Sequence, residues 1–369
     1  MSLSRPSSRW TLPATLAAGV LAISAPAAEP PPADPVEALV AEALEKSPAL
    51  AAARAEVAAA RERVAPAGTL PDPMLSLGYE NDGASFSLGE EPMTRLSFMA
   101  EQQIPWPGKL RAAATLAGAD VEVVEARLAR IRLSVEAAVR RAAARLLEAR
   151  ELEAVTREQG TTWERIEAVA RNRYAAGMGT QQDVLRAQAE RTRLLQQARR
   201  DEAAGRAALA ELRRLLLRGP DEPLSLAGGL ADSLPEAPDA AAERARAEEE
   251  SPELALVRKV AERETLAIDL AKRDRSPDLV ASAGYMNRGS LPLMWSVGLG
   301  VSVPVFSSRR QEPRVREAEA RLAAARQSVE ARIARRQAEA DGRVRDLQAA
   351  LAPAEADEGR LDEALARVA

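Results

Sequence analysis

From Leu110 to Arg173 the sequence keeps one helical pattern without a proline, and an ordinary globular domain has no room for a helix of that length. Val124, Leu128, Ile131, Val135, Val139, Ala142 and Leu146 recur at steps of three and four, the spacing that holds side chains on one helix face. Glu122, Arg127, Arg132, Glu136 and Arg140 fall off that stripe, so one narrow face is suited to burial and the rest to water. At 1.5 Å per residue the helix is expected to be roughly 95 Å long. It breaks at Tyr174-Ala175-Ala176-Gly177-Met178-Gly179-Thr180, where Gly177 and Gly179 supply backbone freedom for a turn between antiparallel helices. A returning helix is expected from Gln181 to Arg218, with Leu185, Leu195, Leu209, Leu212 and Leu216 on its apolar side, ending at Gly219-Pro220.

Upstream, a helical stretch from Pro35 to Val64 closes near Pro66 and Gly68. The period then changes: Met74–Tyr79 and Thr94–Met99 are strand candidates around a segment containing Gly and Asp. The second half repeats this order. Ser251-Pro252-Glu253-Leu254 echoes Ser47-Pro48-Ala49-Leu50, Pro277–Tyr285 echoes Pro71–Tyr79, and Val303-Pro304 echoes Ile104-Pro105. Asp278–Tyr285 and Trp295–Val303 form the second strand pair, and a charged, alanine-rich helix runs from Arg309 onward. The expected organisation is a signal peptide at 1–28, a first repeat at 29–218, a Pro/Gly-rich linker at 219–238 and a second repeat at 239–369. By the repeat offset, the second repeat is expected to be truncated before its own hairpin tip.

Arg5 and Arg9 precede the apolar run Leu12–Ile23, and Ala25-Pro26-Ala27 offers small residues for cleavage, which reads as a secretory signal. That run is shorter than the roughly 20 apolar residues of a spanning helix. No later stretch is apolar enough either, so residence in a membrane has to come from strands. The chain has no cysteine and no histidine, which removes the usual zinc, haem and thiol chemistry. Its 51 basic and 55 acidic residues are near balance, so no nucleic-acid partner is expected. No catalytic constellation stands out, and the chain is read as a non-enzyme without cofactor or resident metal.

The order of helix, two strands, very long helix, tight tip and returning helix, occurring twice behind a signal peptide, resembles the outer-membrane efflux protein family of TolC-like channels. The resemblance covers residues 35–369 and is carried by Pro71-Asp72-Pro73, by Gln103-Ile104-Pro105-Trp106-Pro107-Gly108-Lys109, and by the tip with its sequel Asp183–Gln188. The Ile-Pro-Trp-Pro-Gly-Lys form is most similar to the heavy-metal branch, the partners of cobalt–zinc–cadmium or copper–silver pumps. It implies a mainly α fold with a small β part: helical hairpins forming a periplasmic tunnel, and four strands per chain contributing to a twelve-stranded outer-membrane barrel in a homotrimer. It also implies passive conduction for an inner-membrane pump of the resistance-nodulation-division type through a periplasmic adaptor, or membrane fusion, protein. Four strands cannot close a barrel alone, whereas three chains together can.

On that resemblance the tip residues Tyr174, Gly177, Met178, Gly179 and Thr180 are the adaptor-docking end; read without it they are simply a turn. Pro105, Trp106, Pro107, Gly108, Lys109 and Pro304 are expected where barrel strands hand over to tunnel helices, because proline suits the first turn of a helix and tryptophan a membrane interface. A charge at Gly78 or Gly284 is expected to impair assembly if those positions face lipid. Met74, Met93, Met99, Met178, Met286 and Met294 show no clustered spacing and read as gap-fillers. Two other channel-free or differently coupled readings stand beside this one: an exported coiled-coil adaptor or tether without a barrel, and a type I secretion duct.

Overall fold

The computed structural model describes residues 35–84, 86–88, 92–224, 226 and 239–368. The expected signal peptide therefore lies outside the described residues, as does most of the expected linker. In chain order the elements are α1 (Pro35–Lys46), α2 (Pro48–Glu62), α3 (Val64–Gly68), β1 (Met74–Glu80), β2 (Arg95–Ile104), α4 (Lys109–Ala175) and α5 (Gln181–Leu216). The second half adds α6 (Ala240–Glu249), α7 (Pro252–Arg273), β3 (Asp278–Asn287), β4 (Met294–Ser302) and α8 (Ser307–Val368). None of the described helices is long and apolar enough to cross a membrane.

The helix expected over 35–64 is divided. Proline disfavours helical backbone in the residue before it, and Ser47 accordingly adopts φ −59°, ψ 118°, its hydroxyl accepting the Leu50 N–H at 3.4 Å. Ser251 before Pro252 does the same, with φ −73°, ψ 113° and its hydroxyl accepting from Leu254 N–H at 3.5 Å. The sequence echo is thus a repeated capping device. α5 stops at Leu216, short of Arg218, because Leu217 turns into left-handed backbone at φ 55°.

α4, at 67 residues, spans about 100 Å and packs along α5, with α1, α2, α3 and α7 against other parts of its length. The main core lies where α1, α4 and the end of α5 meet. Leu39 and Ala43, Val139, Ala142 and Leu146, and Leu212 and Leu216 interlock there, with Val139, Leu212 and Leu216 wholly buried. Each such aliphatic side chain contributes about 1.5–3 kcal/mol by leaving water. Arg218 clasps this core from outside, its Nη2 at 2.5 Å from Glu42 Oε2 and its Nε donating to Glu42 Oε1 at 3.0 Å. Toward the turn the expected stripe is not covered within the chain: Leu185 and Leu195 are exposed.

The four strands form one antiparallel sheet in the order β1-β2-β3-β4, so β2 of the first half of the chain pairs with β3 of the second. β2 runs five residues beyond its expected end at Met99, because pairing with β3 continues down to Ile104↔Leu279. Mainly α with four strands and a long antiparallel hairpin, the architecture is the one expected.

Candidate functional site

Three places carry the features that a conduit would need: the hairpin turn, the strand–helix link and the two faces of the sheet. At the turn, α4 closes with Gly177 N–H donating to Tyr174 O at 3.0 Å and Met178 N–H donating to Arg173 O at 2.9 Å. Gly177 sits in left-handed backbone at φ 71°, a conformation that side chains disfavour, so it is the residue that makes the turn. Gly179 serves differently: an added Cβ would lie 3.2 Å from Arg173 Cβ, so the requirement there is for space. Thr180 opens α5 through a reciprocal cap, in which Asp183 N–H reaches Thr180 Oγ1 and the Asp183 carboxylate accepts the Thr180 N–H at 3.2 Å and hydroxyl at 2.7 Å. Those bonds from Thr180 hold the Asp183 carboxyl below its ordinary range. Tyr174 and Met178 project outward, both exposed.

Behind the turn, α4 and α5 are joined by buried polar layers. Glu167, only 4% exposed, takes Arg171 Nη2 at 2.5 Å from its own helix, and Gln188 Nε2 at 3.2 Å and Arg191 Nη1 at 3.0 Å from α5. Farther back, the buried Asp201 accepts from Thr156 Oγ1 at 3.1 Å and Gln197 Nε2 at 2.7 Å.

At the opposite end of α4, Pro105 and Pro107 stand ahead of the helix and not in its first turn, contrary to expectation. The helix is entered through Gly108, at φ 93°, where a Cβ would meet Arg273 Nη1 at 2.6 Å. A proline ring cannot adopt a positive φ, so the left-handed entry excludes it from that position. Lys109 is buried, and its ammonium donates to Ser276 O at 2.7 Å and to Asp278 Oδ1 at 2.8 Å; the same carboxylate oxygen accepts the Trp106 N–H at 3.0 Å. The link after β2 is thereby tied to the start of β3. Lys109 and Pro304 line one cavity of about 330 Å³ with Asp278, which brings the two junction segments together. Trp106 is 42% exposed.

The register sorts the sheet into unlike faces. Leu77, Phe98, Tyr285 and Trp295 stand side by side across all four strands, and Val297 and Leu299 continue the same face, with Leu299 87% exposed. The other face is small and polar. A Cβ on Gly78 would be 2.8 Å from Ser97 Oγ, and one on Gly284 or Gly298 2.6 Å from Ser296 Oγ or Ser282 Oγ. Gly78 and Gly284 are therefore on the polar face, opposite the apolar surface, and a charge there would not meet whatever covers Leu77 and Leu299.

Residues 39–216, which span the first helices, β1, β2 and the α4–α5 hairpin, match the outer membrane efflux protein family. The fold of solved outer-membrane channels extends over most of the chain. The outer-membrane channel OprN superposes with a TM-score of 0.69 at 20% identity, over 85% of this chain and 74% of that one. The outer membrane protein VceC of Vibrio cholerae gives 0.71 at 20% identity, over 89% and 82%. CusC, described for its transmembrane channel formation, gives 0.62 at 14% identity, over 89% and 77%. No curated protein sequence matches the chain.

Sequence reasoning named Lys109 but not Asp278 as its partner, and passed over Glu167, Asp201 and the Glu42–Arg218 clasp. Only for Lys109 was there a signal, a lysine closing a Pro/Gly-rich link. Among the described residues no three Asp or Glu come together as a metal site.

Proposed function

We propose that three copies of this efflux-protein chain pool their sheets into a twelve-stranded barrel, and that the assembly is the passive outer-membrane duct of a tripartite export machine. The observation that carries this is the sheet: two free edges, on β1 and β4, and one exposed apolar face. Unpaired strand edges in lipid cost several kcal/mol per backbone group, and joining β1 of one copy to β4 of the next removes them. The chain then divides as a signal peptide at 1–28, repeats at 29–218 and 239–369, and a linker at 219–238. A periplasmic adaptor docks at Tyr174–Thr180, where Tyr174 and Met178 are exposed beyond the closed cap, and an inner-membrane pump of the resistance-nodulation-division type supplies the energy. The Ile104–Lys109 motif, most similar to the heavy-metal branch, favours metal cations as cargo.

The test is the native mass of the protein extracted in detergent from outer membranes. A trimer is expected, and a monomer or dimer in the soluble periplasmic fraction would refute the barrel. Photo-crosslinkers at Tyr174 and Met178 should capture the adaptor, while the same probe at Leu133 on mid-α4 should not; equal capture at both would remove the tip from the docking surface.

A further inference from the structure

In sequence the methionines are scattered, but the strand register gathers four of them. Met74, Met99, Met286 and Met294 come one from each strand, and all four lie on the small, polar face of the sheet. Met286 and Met294 are directly paired across β3 and β4. Met99 pairs with Gly284, two residues from Met286, and Met74 pairs with Glu101, two residues from Met99. Because a strand rises about 3.4 Å per residue, each two-residue shift moves the next methionine about 7 Å along the strands. The set forms a staircase: Met286 with Met294 nearest the far end of the sheet, Met99 a step below, and Met74 a further step toward the helices.

The Met99 and Met286 side chains converge on one glycine. Both come close to the empty side-chain position of Gly284, Met99 Cγ at 3.5 Å and Met286 Cε at 3.8 Å from where a Cβ would be. The glycine leaves the space that the two thioethers enter. Met99 and Met294 are 39% and 42% exposed on this face, so they are open to solvent and are not filling a core. Glu101, directly opposite Met74, adds a carboxylate that attracts cations to the same surface.

We propose that Met99, Met286 and Met294, with Met74 as the lower step, form a thioether ladder that binds soft monovalent cations, Cu(I) or Ag(I), in transit along the barrel lumen. The inference rests on the channel reading to the extent that the polar face lines the lumen. Thioether sulfur selects soft cations and discriminates against zinc and other harder ions. Several weak sites at short intervals suit conduction, because an ion held by two or three thioethers can pass to the next step. The chain has no cysteine or histidine, so thioethers are its only soft donors.

The experiment uses the full chain purified in detergent, chloride-free buffer and Ag(I) as probe, with bound silver measured by equilibrium dialysis and its donor shell by X-ray absorption. The wild type is expected to retain Ag(I) in a sulfur shell, unaffected by excess Zn(II). Met99→Leu/Met286→Leu/Met294→Leu, which keeps side-chain volume, should weaken binding at least tenfold, whereas Met93→Leu/Met178→Leu should not. Equal retention by the triple variant, a shell of oxygen alone, or displacement by Zn(II) would overturn the proposal. Should the triple variant misfold, the donor shell of the wild type still decides. A wild-type trimer that binds no silver removes the ladder and leaves the channel standing; failure to form a trimer refutes the channel itself.

Discussion

Replacing Lys109 by methionine tests whether the strand–helix junction is held by one ion pair. The Lys109 side chain is 10% exposed and that of Asp278 23%, and the ammonium has two acceptors, Ser276 O and Asp278 Oδ1. Removing one member of a buried pair costs about 3–5 kcal/mol, because the partner charge stays behind without compensation. Asp278 would keep the Trp106 N–H and some contact with water, which puts the expected cost at the low end, about 3 kcal/mol. At 1.4 kcal/mol per factor of ten, that is on the order of a hundredfold faster local opening. Hydrogen exchange of residues 105–112 in detergent reads it, since the Trp106 amide is itself bonded to the carboxylate. Asp278→Asn alone should cost less, as its side-chain oxygen still accepts from Trp106. Adding it to Lys109→Met should recover part of the loss, because no charge is then stranded. Exchange in Lys109→Met within threefold of wild type would mean that the ammonium is effectively solvated, and the reasoning would fail.

A second expectation concerns acid. The Arg218 hydrogen bonds, opposed by burial and assisted by Lys46, lower the Glu42 carboxyl from 4.5 to about 2. A depressed carboxylate stabilises the fold fully above its ordinary pKa and loses that contribution as pH falls through the folded value, so the window is about pH 4.5 down to 2. The full shift corresponds to about 3 kcal/mol, which partial exposure reduces to about 1–2 kcal/mol. After correction for intrinsic rates, exchange protection of α1 should fall over that window in wild type and stay flat in Glu42→Gln. At the tip, Gly177→Val should cost about 1–2 kcal/mol, because its φ of 71° is strained for a β-branched residue while nothing crowds the site. Faster proteolytic nicking at 174–180 would show it, and Gly177→Asn should be nicked almost as slowly as wild type.

The long hairpin was legible because helix periodicity is local: the α4 stripe, the glycine turn and the Thr180–Asp183 cap are each written within a few residues. The Ser-Pro echo was legible for the same reason, since it imposes the same cap at Ser47 and Ser251. β2 was cut short because Glu101, Gln102 and Gln103 carry no hydrophobic alternation, and only pairing with β3 keeps them extended. The helix over 35–64 was drawn whole because composition outweighed the Ser47-Pro48 break. The clasp of Glu42 to Arg218, the Lys109–Asp278 pair and the methionine staircase join residues far apart in the chain. No periodicity marks such pairs, which exist only once the topology places them.

The buried carboxylates between α4 and α5 have a consequence for length. Glu167 meets Gln188 and Arg191 at one level, and Asp201 meets Thr156 at another. An apolar seam of alanines and leucines tolerates sliding, since one small side chain replaces another. A slip of one turn, about 5.4 Å, would instead part both carboxylates at once from their donors on the facing helix and leave each with a single partner on its own, at about 1–3 kcal/mol apiece. The two layers act as detents on a ruler, fixing how far the hairpin reaches from the sheet and so the height at which Gly177 turns the chain.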